Sequence, residues 1–318
     1  MKNTEKQIEG IKNQTIGVEV EMNNITRSDA AKIAAKFFGT NRSEYTDGRN
    51  GYSTWSAWDA QGREWKFQKD VSICGPDSEK CELVTPILTY SDIETLQELI
   101  RKLRKAGAKS DATRGCGVHI HIGANGHTPQ TLRNLANIMA SHERLLASAL
   151  KLDSHRMSRY CRTVDERFLR ELNSKKPNTM AKLADIWYGS QGENYGRNAH
   201  YNSSRYHMLN LHATFTKGTI EFRLFQFDAP SGDRSPAGSK QNGLHAGQLK
   251  SYIQLCLALS ALAKNAKSAS PKPQQTENPK YAMRTWLLRL GFIGDEFKTA
   301  RETFTKRLDG NSSFRRAA

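Results

Sequence analysis

One heptapeptide near the N-terminus alternates apolar side chains with carboxylates, and it restricts the fold more than any other feature of the chain. Residues 16–22 read IGVEVEM. Because successive side chains of a β-strand point to opposite faces of its sheet, a strand here places its two valines and its methionine in a core. Glu19 and Glu21 then share the other face. The sequence therefore predicts a sheet with one apolar face and one face that carries acids.

The same alternation returns in two later segments with other polar side chains. GVHIHIG presents His119 and His121, and GTIEFRL presents Glu221 and Arg223. Each pair has an ordinary explanation, as the solvated face of an antiparallel sheet, structural histidines or a surface ion pair. Together, however, the three pairs indicate a site. Chance would have to place carboxylates, imidazoles and a guanidinium on the same face of several separate strands.

These residue types indicate metal-dependent phosphate chemistry. Glutamates at positions i and i+2 of a strand have Cα atoms about 6.7 Å apart, a spacing from which carboxylates can bracket two hard cations. Oxygen ligands with one imidazole suit Mg²⁺ or Mn²⁺ better than zinc. Arg223 beside Glu221 would neutralise a phosphate during transfer. The chain has no P-loop and no protein-kinase signature, so this face would have to hold any nucleotide.

Composition limits the partners and the compartment. The 318 residues include 48 Lys+Arg and 32 Asp+Glu, a formal net charge of +16 that attracts polyanions or phosphorylated substrates. The basic clusters are dispersed and contain few aromatics, so nucleic acid is only the second choice of partner. An anionic polymer such as a polyglutamyl or cell-wall peptide would also match the charge.

The chain shows no signal-peptide pattern and no apolar run of bilayer length. Its five cysteines are scattered and form no CxxC pair, so they are predicted to be reduced thiols. We therefore expect a soluble, cytoplasmic protein with no membrane partner.

Short strands separated by amphipathic helices predict an α+β fold, with an antiparallel or mixed sheet and helices packed on one side. Besides the segments above, strands are predicted over 65–71, 81–88, 206–214 and 219–227. Helices are predicted from a cap at Ser28 and over 91–105, 128–150, 165–172 and 245–263. Residues 39–63 are predicted to form a loop or irregular hairpin over the site, and Asp228–Gly243 a mobile loop.

The expected domain organisation is one catalytic domain followed by a helical extension. The catalytic domain would cover residues 1–267, and residues 268–279 have the composition of a linker. Residues 280–318 would form a helical C-terminal part with a frayed basic tail.

Taken in chain order, these motifs resemble those of the amidoligases, carboxylate–amine ligases with a glutamine-synthetase-like fold. The matching segments are GVEVE at 17–21, Trp65 with Asp70, ELVTP at 82–86, GVHIH at 117–121, RMSRYC at 156–161, RYHMLN at 205–210 and EFR at 221–223. The resemblance covers about residues 15–263. It implies a curved, mainly antiparallel sheet that forms a catalytic funnel for ATP and Mg²⁺.

The resemblance also implies roles for individual residues. The implied metal ligands are Glu19, Glu21, Glu82, His119 and Glu221. His121 would be a further ligand or would contact the substrate carboxylate, and Arg223 would hold the transferring phosphate. Asp70 would accept the proton of the attacking amine. Arg205 and Asn210 would contact the nucleotide or the acceptor.

The sequence thus predicts an ATP- and Mg²⁺-dependent ligase. It would phosphorylate a carboxylate on a small molecule or peptide, and an amine would then displace phosphate to leave an amide or isopeptide bond. Three alternatives stay open: a phosphotransferase on the same fold, a metal-dependent hydrolase, and a non-catalytic basic protein that binds nucleic acid. The loop at Asp228–Gly243 is longer than the usual turn after the last strand, which leaves substrate specificity open.

Overall fold

The computed structural model describes residues 2–47, 51–228, 243–273 and 276–314. The chain divides into two units. The strand-rich unit comprises Thr15–Ile120 and Phe225–Lys250, and the helix-rich unit comprises Met1–Gln14, His121–Leu224 and Ser251–Ala318. One boundary between the units falls inside a strand, between Ile120 and His121.

The regular elements follow the predicted mixture of strands and helices. The strands are β1 (Ile16–Met22), β2 (Ser43–Tyr45), β3 (Trp55–Trp58), β4 (Glu64–Gln68), β5 (Cys81–Val84), β6 (Val118–Gly123), β7 (Leu209–Asn210) and β8 (Thr219–Phe225). The helices are α1 (Lys2–Lys12), α2 (Arg27–Phe37), α3 (Ile93–Lys105), α4 (Pro129–Leu150), α5 (Ser154–Arg159), α6 (Glu166–Lys175), α7 (Met180–Ser190), α8 (His212–Lys217), α9 (Ala246–Asn265), α10 (Pro279–Arg289) and α11 (Lys298–Thr305). No helix of the described chain combines the length and the apolar character needed to span a bilayer.

The strand-rich unit is built on antiparallel pairs. Its strands follow the order β2-β3-β4-β5-β1, and each neighbouring pair is antiparallel. In the β1–β5 pair Glu21 lies opposite Glu82. The Glu21 backbone N–H also donates to the Gly117 carbonyl oxygen, which links β1 to the chain just before β6. The α+β class and the antiparallel sheet are therefore confirmed.

The apolar face of β1 lies in the core, as its alternation predicts. Val18, Val20 and Met22 are at most 1% exposed, and Trp65 and Phe67 of β4 are fully buried with them in the same unit. Burial of these side chains supplies the main stabilising free energy of such a sheet, at about 25 cal/mol per Å² of apolar surface.

Three predicted boundaries in the strand-rich unit are wrong. Strand β5 ends at Val84 rather than at residue 88. Helix α2 is capped by Thr26 rather than Ser28, because the Thr26 side chain accepts a hydrogen bond from the Asp29 backbone N–H. Strand β4 ends at Gln68, and Val71 beyond it is 77% exposed. The segment 39–63 contains the β2–β3 pair, in keeping with an irregular hairpin.

In the helix-rich unit β7 pairs antiparallel with β8 and sets Asn210 opposite Glu221. The strand predicted over 206–214 is wrong for most of its length, since only Leu209–Asn210 is extended and α8 begins at His212. The Asn210 side-chain oxygen accepts from the His212 backbone N–H at 2.8 Å, which turns the chain out of the strand. Of the predicted loop at Asp228–Gly243, residues 229–242 lie outside the described residues.

Candidate active site

Acidic side chains from two neighbouring strands and one turn gather with a histidine of a third strand in the strand-rich unit. This group, called the acidic cluster below, consists of Glu19, Glu21, Asp70, Glu82 and His119. Two overlapping sets of residues each offer ligand atoms that lie within 4.8 Å of one another. One set is Glu19, Glu82 and His119, and the other is Glu21, Asp70 and Glu82. The cluster follows from the strand register, because the β1–β5 pairing sets Glu21 opposite Glu82.

Hydrogen bonds fix the orientation of the cluster. His119 Nδ1 lies 3.0 Å from Glu19 Oε2, and its Nε2 lies 3.9 Å from Glu21 Oε1. The Gly117 backbone N–H donates to the Glu21 carboxylate. On Glu82, Oε2 accepts from Gln68 Nε2 at 2.8 Å. The side chains are thus held in place before any ligand arrives, which reduces the entropy cost of binding.

The cluster is buried. Glu21, Glu82 and His119 are 3%, 4% and 5% exposed, and only Glu19 and Asp70 are partly accessible. The ordinary explanation for the glutamates of β1, a solvated face of the sheet, is therefore wrong for Glu21. Carboxylates are rarely buried without a counter-charge, because desolvation of the ionised form is costly.

Asp70 joins the cluster from a turn rather than from a strand. It follows β4, and its Oδ1 accepts from the Ser72 backbone N–H at 2.6 Å. The resemblance implies that Asp70 accepts the proton of the attacking amine. The structure brings a ligand atom of Asp70 within 4.8 Å of ligand atoms of Glu21 and Glu82. No local sequence pattern predicts that Asp70 lies near these glutamates, because a turn does not have the two-residue periodicity of a strand.

The electrostatics of the cluster favour a bound cation. Burial raises the pKa of Glu82 well above its usual value, and the negative charges of Glu19, Asp70 and Glu21 raise it further. The hydrogen bond from Gln68 acts in the opposite direction. A divalent cation among these oxygens would remove the repulsion and favour ionised Glu82. The donor set, carboxylate oxygens with one imidazole, fits Mg²⁺ or Mn²⁺.

A second polar group lies in the helix-rich unit around Glu221 of β8. Arg223 Nη1 donates to Glu221 Oε1, and Asn210 Nδ2 donates to Oε2 at 2.6 Å. His121 Nε2 lies 4.0 Å from Glu221 Oε1, and its Nδ1 lies 2.9 Å from the Thr219 hydroxyl. Glu221 and Arg223 are 2% and 5% exposed, so they do not form a surface ion pair.

Arg223 is held on several sides. Its Nε donates to the Tyr160 carbonyl oxygen at 3.5 Å, and its guanidinium carbon lies 5.7 Å from the centre of the Tyr206 ring. Arg156, which is 2% exposed, donates to the Arg223 carbonyl oxygen at 3.3 Å. The sequence assigns no role to Arg156 or Tyr160 by themselves. Their only signal is the basic-aromatic segment RMSRYC that takes part in the resemblance.

Arg205 and Asn210 line a cleft of about 200 Å³ in the helix-rich unit, together with Glu221. His212 and Lys217 also line it, and sequence reasoning missed both. His212 lies near the end of the strand predicted over 206–214, and Lys217 lies in the connection after it. Both lie instead on α8, which brings them beside Arg205. The cleft combines cationic side chains with one buried carboxylate.

Comparison with solved structures gives a distant likeness. A bifunctional glutathione synthetase from Pasteurella multocida shares 13% sequence identity at a TM-score of 0.42, over 96% of this chain and 48% of that chain. The present chain thus spans about half the length of that protein, and a likeness at this level does not bear on function. Comparison with curated protein sequences gives no match.

Comparison with family models gives a match over most of the chain. The model described as "Putative amidoligase enzyme" matches residues 12–237, which include every strand of the acidic cluster and of the Glu221 group. This match covers more than half of the chain. The chain therefore belongs to the amidoligase family, as its motifs predict.

Proposed function

We propose that the protein is an ATP- and Mg²⁺-dependent ligase that joins an amine to a carboxylate through an acyl phosphate. The acidic cluster carries this proposal. It gathers buried carboxylates and an imidazole within ligand distance of one another, and these are the donors that hard divalent cations take. Such a site is compatible with a carboxylate substrate on either a peptide or a small molecule.

The acidic cluster would hold the metal ions. Glu19, Glu82 and His119 form one proposed ligand set, and Glu21 and Asp70 with Glu82 form another. In the helix-rich unit we propose Glu221 as a metal ligand because of its burial beside His121. When bound, the metal supplies positive charge that stabilises the transferring phosphoryl group and the leaving ADP. Mn²⁺ would serve the same purpose.

The side chains of the Glu221 group would orient the reacting phosphate and carboxylate. The Arg223 guanidinium is fixed by Glu221 and by the Tyr160 carbonyl, so it would hold the transferring phosphate with little rearrangement. His121 would bind a metal or contact the substrate carboxylate. Arg205 and Asn210 would contact the nucleotide or the acceptor.

The strands would form a curved funnel of the glutamine-synthetase type, within a catalytic domain over residues 1–267. Residues 268–279 would act as a linker to the helical extension at 280–318, where α10 and α11 lie.

Calorimetric titration with ATP tests the proposal. We expect wild-type protein to bind ATP only when Mg²⁺ is present, and we expect Glu19→Gln and Glu82→Gln to lose at least tenfold in affinity. Each substitution removes one carboxylate of the cluster and keeps its shape. Glu44→Gln is the matched control, since Glu44 is an exposed acid on β2, in the same unit, that pairs with Arg42. Equal affinity in all four proteins would refute the proposed metal site.

Product analysis then separates the ligase from its rivals. With ATP, a carboxylate and an amine, a ligase releases one phosphate for each amide formed. A phosphotransferase on the same fold would instead accumulate a stable phosphorylated product. A metal-dependent hydrolase would act without ATP. A nucleic-acid-binding protein would form neither an amide nor a phosphorylated product.

A further inference from the structure

A tripeptide of serine, arginine and tyrosine occurs twice in the helix-rich unit, at residues 158–160 and 204–206. The fold places the two copies side by side. The Arg162 backbone N–H donates to the Tyr206 carbonyl oxygen at 3.1 Å, and the Met208 backbone N–H donates to the Arg162 carbonyl oxygen at 2.7 Å. The rings of Tyr160 and Tyr206 therefore meet, with their centres 6.3 Å apart and their planes at 70°.

On one side this pair of rings continues into α5. The His155 ring centre lies 6.2 Å from the Tyr160 ring centre, and the planes of the two rings cross at 71°. The Arg159 guanidinium carbon lies 5.7 Å from the same ring centre. An imidazole and a guanidinium thus adjoin Tyr160.

On the other side the pair continues into the segment that precedes β7. The Arg205 guanidinium carbon lies 5.9 Å from the Tyr206 ring centre and 5.7 Å from the Tyr201 ring centre. The His200 ring centre lies 4.6 Å from that of Tyr201. Rings and guanidinium groups from His155 to His200 therefore form one series of contacts, called the ring–arginine row below.

The rings of the row are accessible from solvent. Tyr201 is 59% exposed, His155 and His200 are also exposed, and Tyr160 and Tyr206 are half-buried. Rings whose main role is to fill a core are buried more completely than this. A ligand can therefore reach the row without a rearrangement of the core.

The arginines of this surface keep their positive charge. Arg205 Nη1 donates to the His200 carbonyl oxygen at 2.9 Å, and Arg162, which is exposed beside the row, donates from Nε to the Tyr206 carbonyl oxygen at 3.3 Å. Within the described part of the chain, no carboxylate forms an ion pair with Arg159, Arg162 or Arg205. Neutral partners hold these guanidinium groups and leave their charge for an anionic ligand.

The combination of rings and arginines selects among polyanions. An acidic peptide would pair with the guanidinium groups and gain little from the aromatic rings. In a single strand of nucleic acid, the bases stack on aromatic rings and guanidinium planes while the phosphates contact the cations. A duplex hides the faces of its bases. In the sequence the basic clusters contain few aromatics, and only the fold brings the two kinds of side chain together.

We propose that the ring–arginine row binds single-stranded nucleic acid. The bases stack on Tyr160 and Tyr201, and the phosphates contact Arg159 and Arg162. The proposal does not rest on the ligase function, because the row contains none of the proposed metal ligands. It gives the positive charge of this chain an anionic partner of defined chemistry.

Fluorescence anisotropy on the full chain tests the proposal. The probe is a fluorescein-labelled oligothymidylate of about twelve nucleotides, within the site size known for single-strand binding domains. The titration is made in EDTA, without ATP, so that metal and nucleotide at the acidic cluster take no part. We expect a Kd of about 1–100 µM at low salt. Polyglutamate of equal charge should compete at least tenfold more weakly than unlabelled oligothymidylate.

Variants of the rings test stacking. Tyr160→Leu and Tyr201→Leu should each weaken binding of the oligonucleotide about fivefold or more and leave binding of polyglutamate unchanged. Tyr160→Phe keeps the ring and should bind within twofold of wild type. Truncation at the exposed Tyr201 does not open the core, so at least this variant should fold. Tyr281→Leu is the matched control, since Tyr281 is a half-buried tyrosine on α10 of the same unit.

Variants of the arginines test the phosphate contacts. Arg159→Gln and Arg162→Gln should each weaken binding and reduce the slope of log K against log salt by about 0.7. Arg170→Gln removes the same charge from an exposed position on α6 and should change the affinity less than twofold. Arg205 and Tyr206 are kept unchanged, because Arg205 lines the cleft and Tyr206 contacts Arg223.

Three outcomes would overturn the proposal. The first is that the oligonucleotide does not bind at low salt. The second is that Tyr160→Leu and Tyr201→Leu bind it as tightly as wild type while polyglutamate competes equally well, which would make the surface a site for acidic polymers. The third is equal affinity for a duplex of the same length, which would mean that only backbone charge is recognised. None of these results depends on whether the chain binds ATP.

Discussion

Two buried glutamates show how surroundings decide what an acid can do in this protein. Glu82 lies among other carboxylates, so a cation can relieve its repulsion. Glu143 lies on α4 of the helix-rich unit, and both of its carboxylate oxygens are 3.0 Å from the Val164 backbone nitrogen. Burial raises the pKa of Glu143 to about 7, while the bond from Val164 lowers it. Glu143 is thus a titrating group near neutral pH outside the acidic cluster.

The raised pKa of Glu143 predicts a pH-dependent loss of stability. The folded pKa of about 7 lies above the usual value of 4.5, so folding retains the proton between these values. The destabilisation is absent below pH 4.5, grows as the pH rises and is complete above about 7, where it amounts to about 3 kcal/mol. Glu143→Gln keeps an acceptor for Val164 and cannot ionise. Urea unfolding should therefore find the variant equal to wild type near pH 4 and more stable by up to about 3 kcal/mol at pH 8.

Glu44→Gln, an exposed acid, controls for general charge effects and should show no such trend. A difference between Glu143→Gln and wild type that is the same at both pH values would contradict the assigned titration.

At the level of elements, the position of Asp70 depends on a close contact between two loops of the strand-rich unit. Gly115 follows the 3-10 helix Ala112–Arg114 with φ of +83°, and a Cβ there would collide with the Ser72 carbonyl oxygen. Ser72 in turn donates its backbone N–H to Asp70. The Cys74 backbone N–H donates to the Arg114 carbonyl at 2.8 Å. The turn with Asp70 is therefore positioned by packing against the loop that precedes β6.

This contact predicts that Gly115→Ala impairs the metal site. The substitution forces a left-handed conformation on alanine, at about 1–2 kcal/mol, and it also displaces Ser72 and with it Asp70. We expect Mg²⁺ affinity to fall about tenfold in calorimetric titration.

The comparison is Gly62→Ala, where φ is +75° and no atom lies within 4 Å of the added Cβ. This variant should lose stability from the backbone alone and keep its affinity for Mg²⁺. Equal losses of affinity in both variants would argue that Asp70 is not positioned by Ser72.

At the scale of the whole molecule, metal binding should appear as added stability. A ligand that binds only the folded state stabilises it by about 2.7 kcal/mol at 100 times its dissociation constant. For a chain of 318 residues this corresponds to a rise in Tm of several degrees. We expect Mg²⁺ to raise the Tm of wild type in calorimetric scans, EDTA to reverse the rise, and Glu82→Gln to lose most of it. A Tm that responds to Mg²⁺ equally in Glu82→Gln would mean that the ion binds elsewhere.

The net charge of +16 is also a property of the whole molecule, and the acidic cluster does not account for it. An anionic substrate matches that charge as well as a nucleic acid does, and a field of this sign raises the encounter rate with either. Steep dependence of binding on salt would therefore be expected for any polyanion and would not by itself identify one.

Strands and helices with a clear local pattern were predictable. β1 was predicted with its observed bounds from its alternation, and α4 from the Thr128-Pro129 start. The short strand β7 and the helix α8 were not, because one hydrogen bond, from the His212 backbone N–H to the Asn210 side-chain oxygen, decides where the strand ends. Such a bond leaves no periodic signal in the sequence.

The sequence alone determined the family and the identities of the groups that form the proposed site. Alternation along a strand is a local property of the backbone, so a single segment is enough to assign each side chain to a face. The tertiary structure decided which groups meet and how strongly they are desolvated. Glu19 and His119 lie 100 residues apart and approach to 3.0 Å, Asp70 enters the acidic cluster from a turn, and α8 brings Lys217 to the cleft of Arg205. Proximity and burial arise from contacts between distant parts of the chain, which no local pattern encodes.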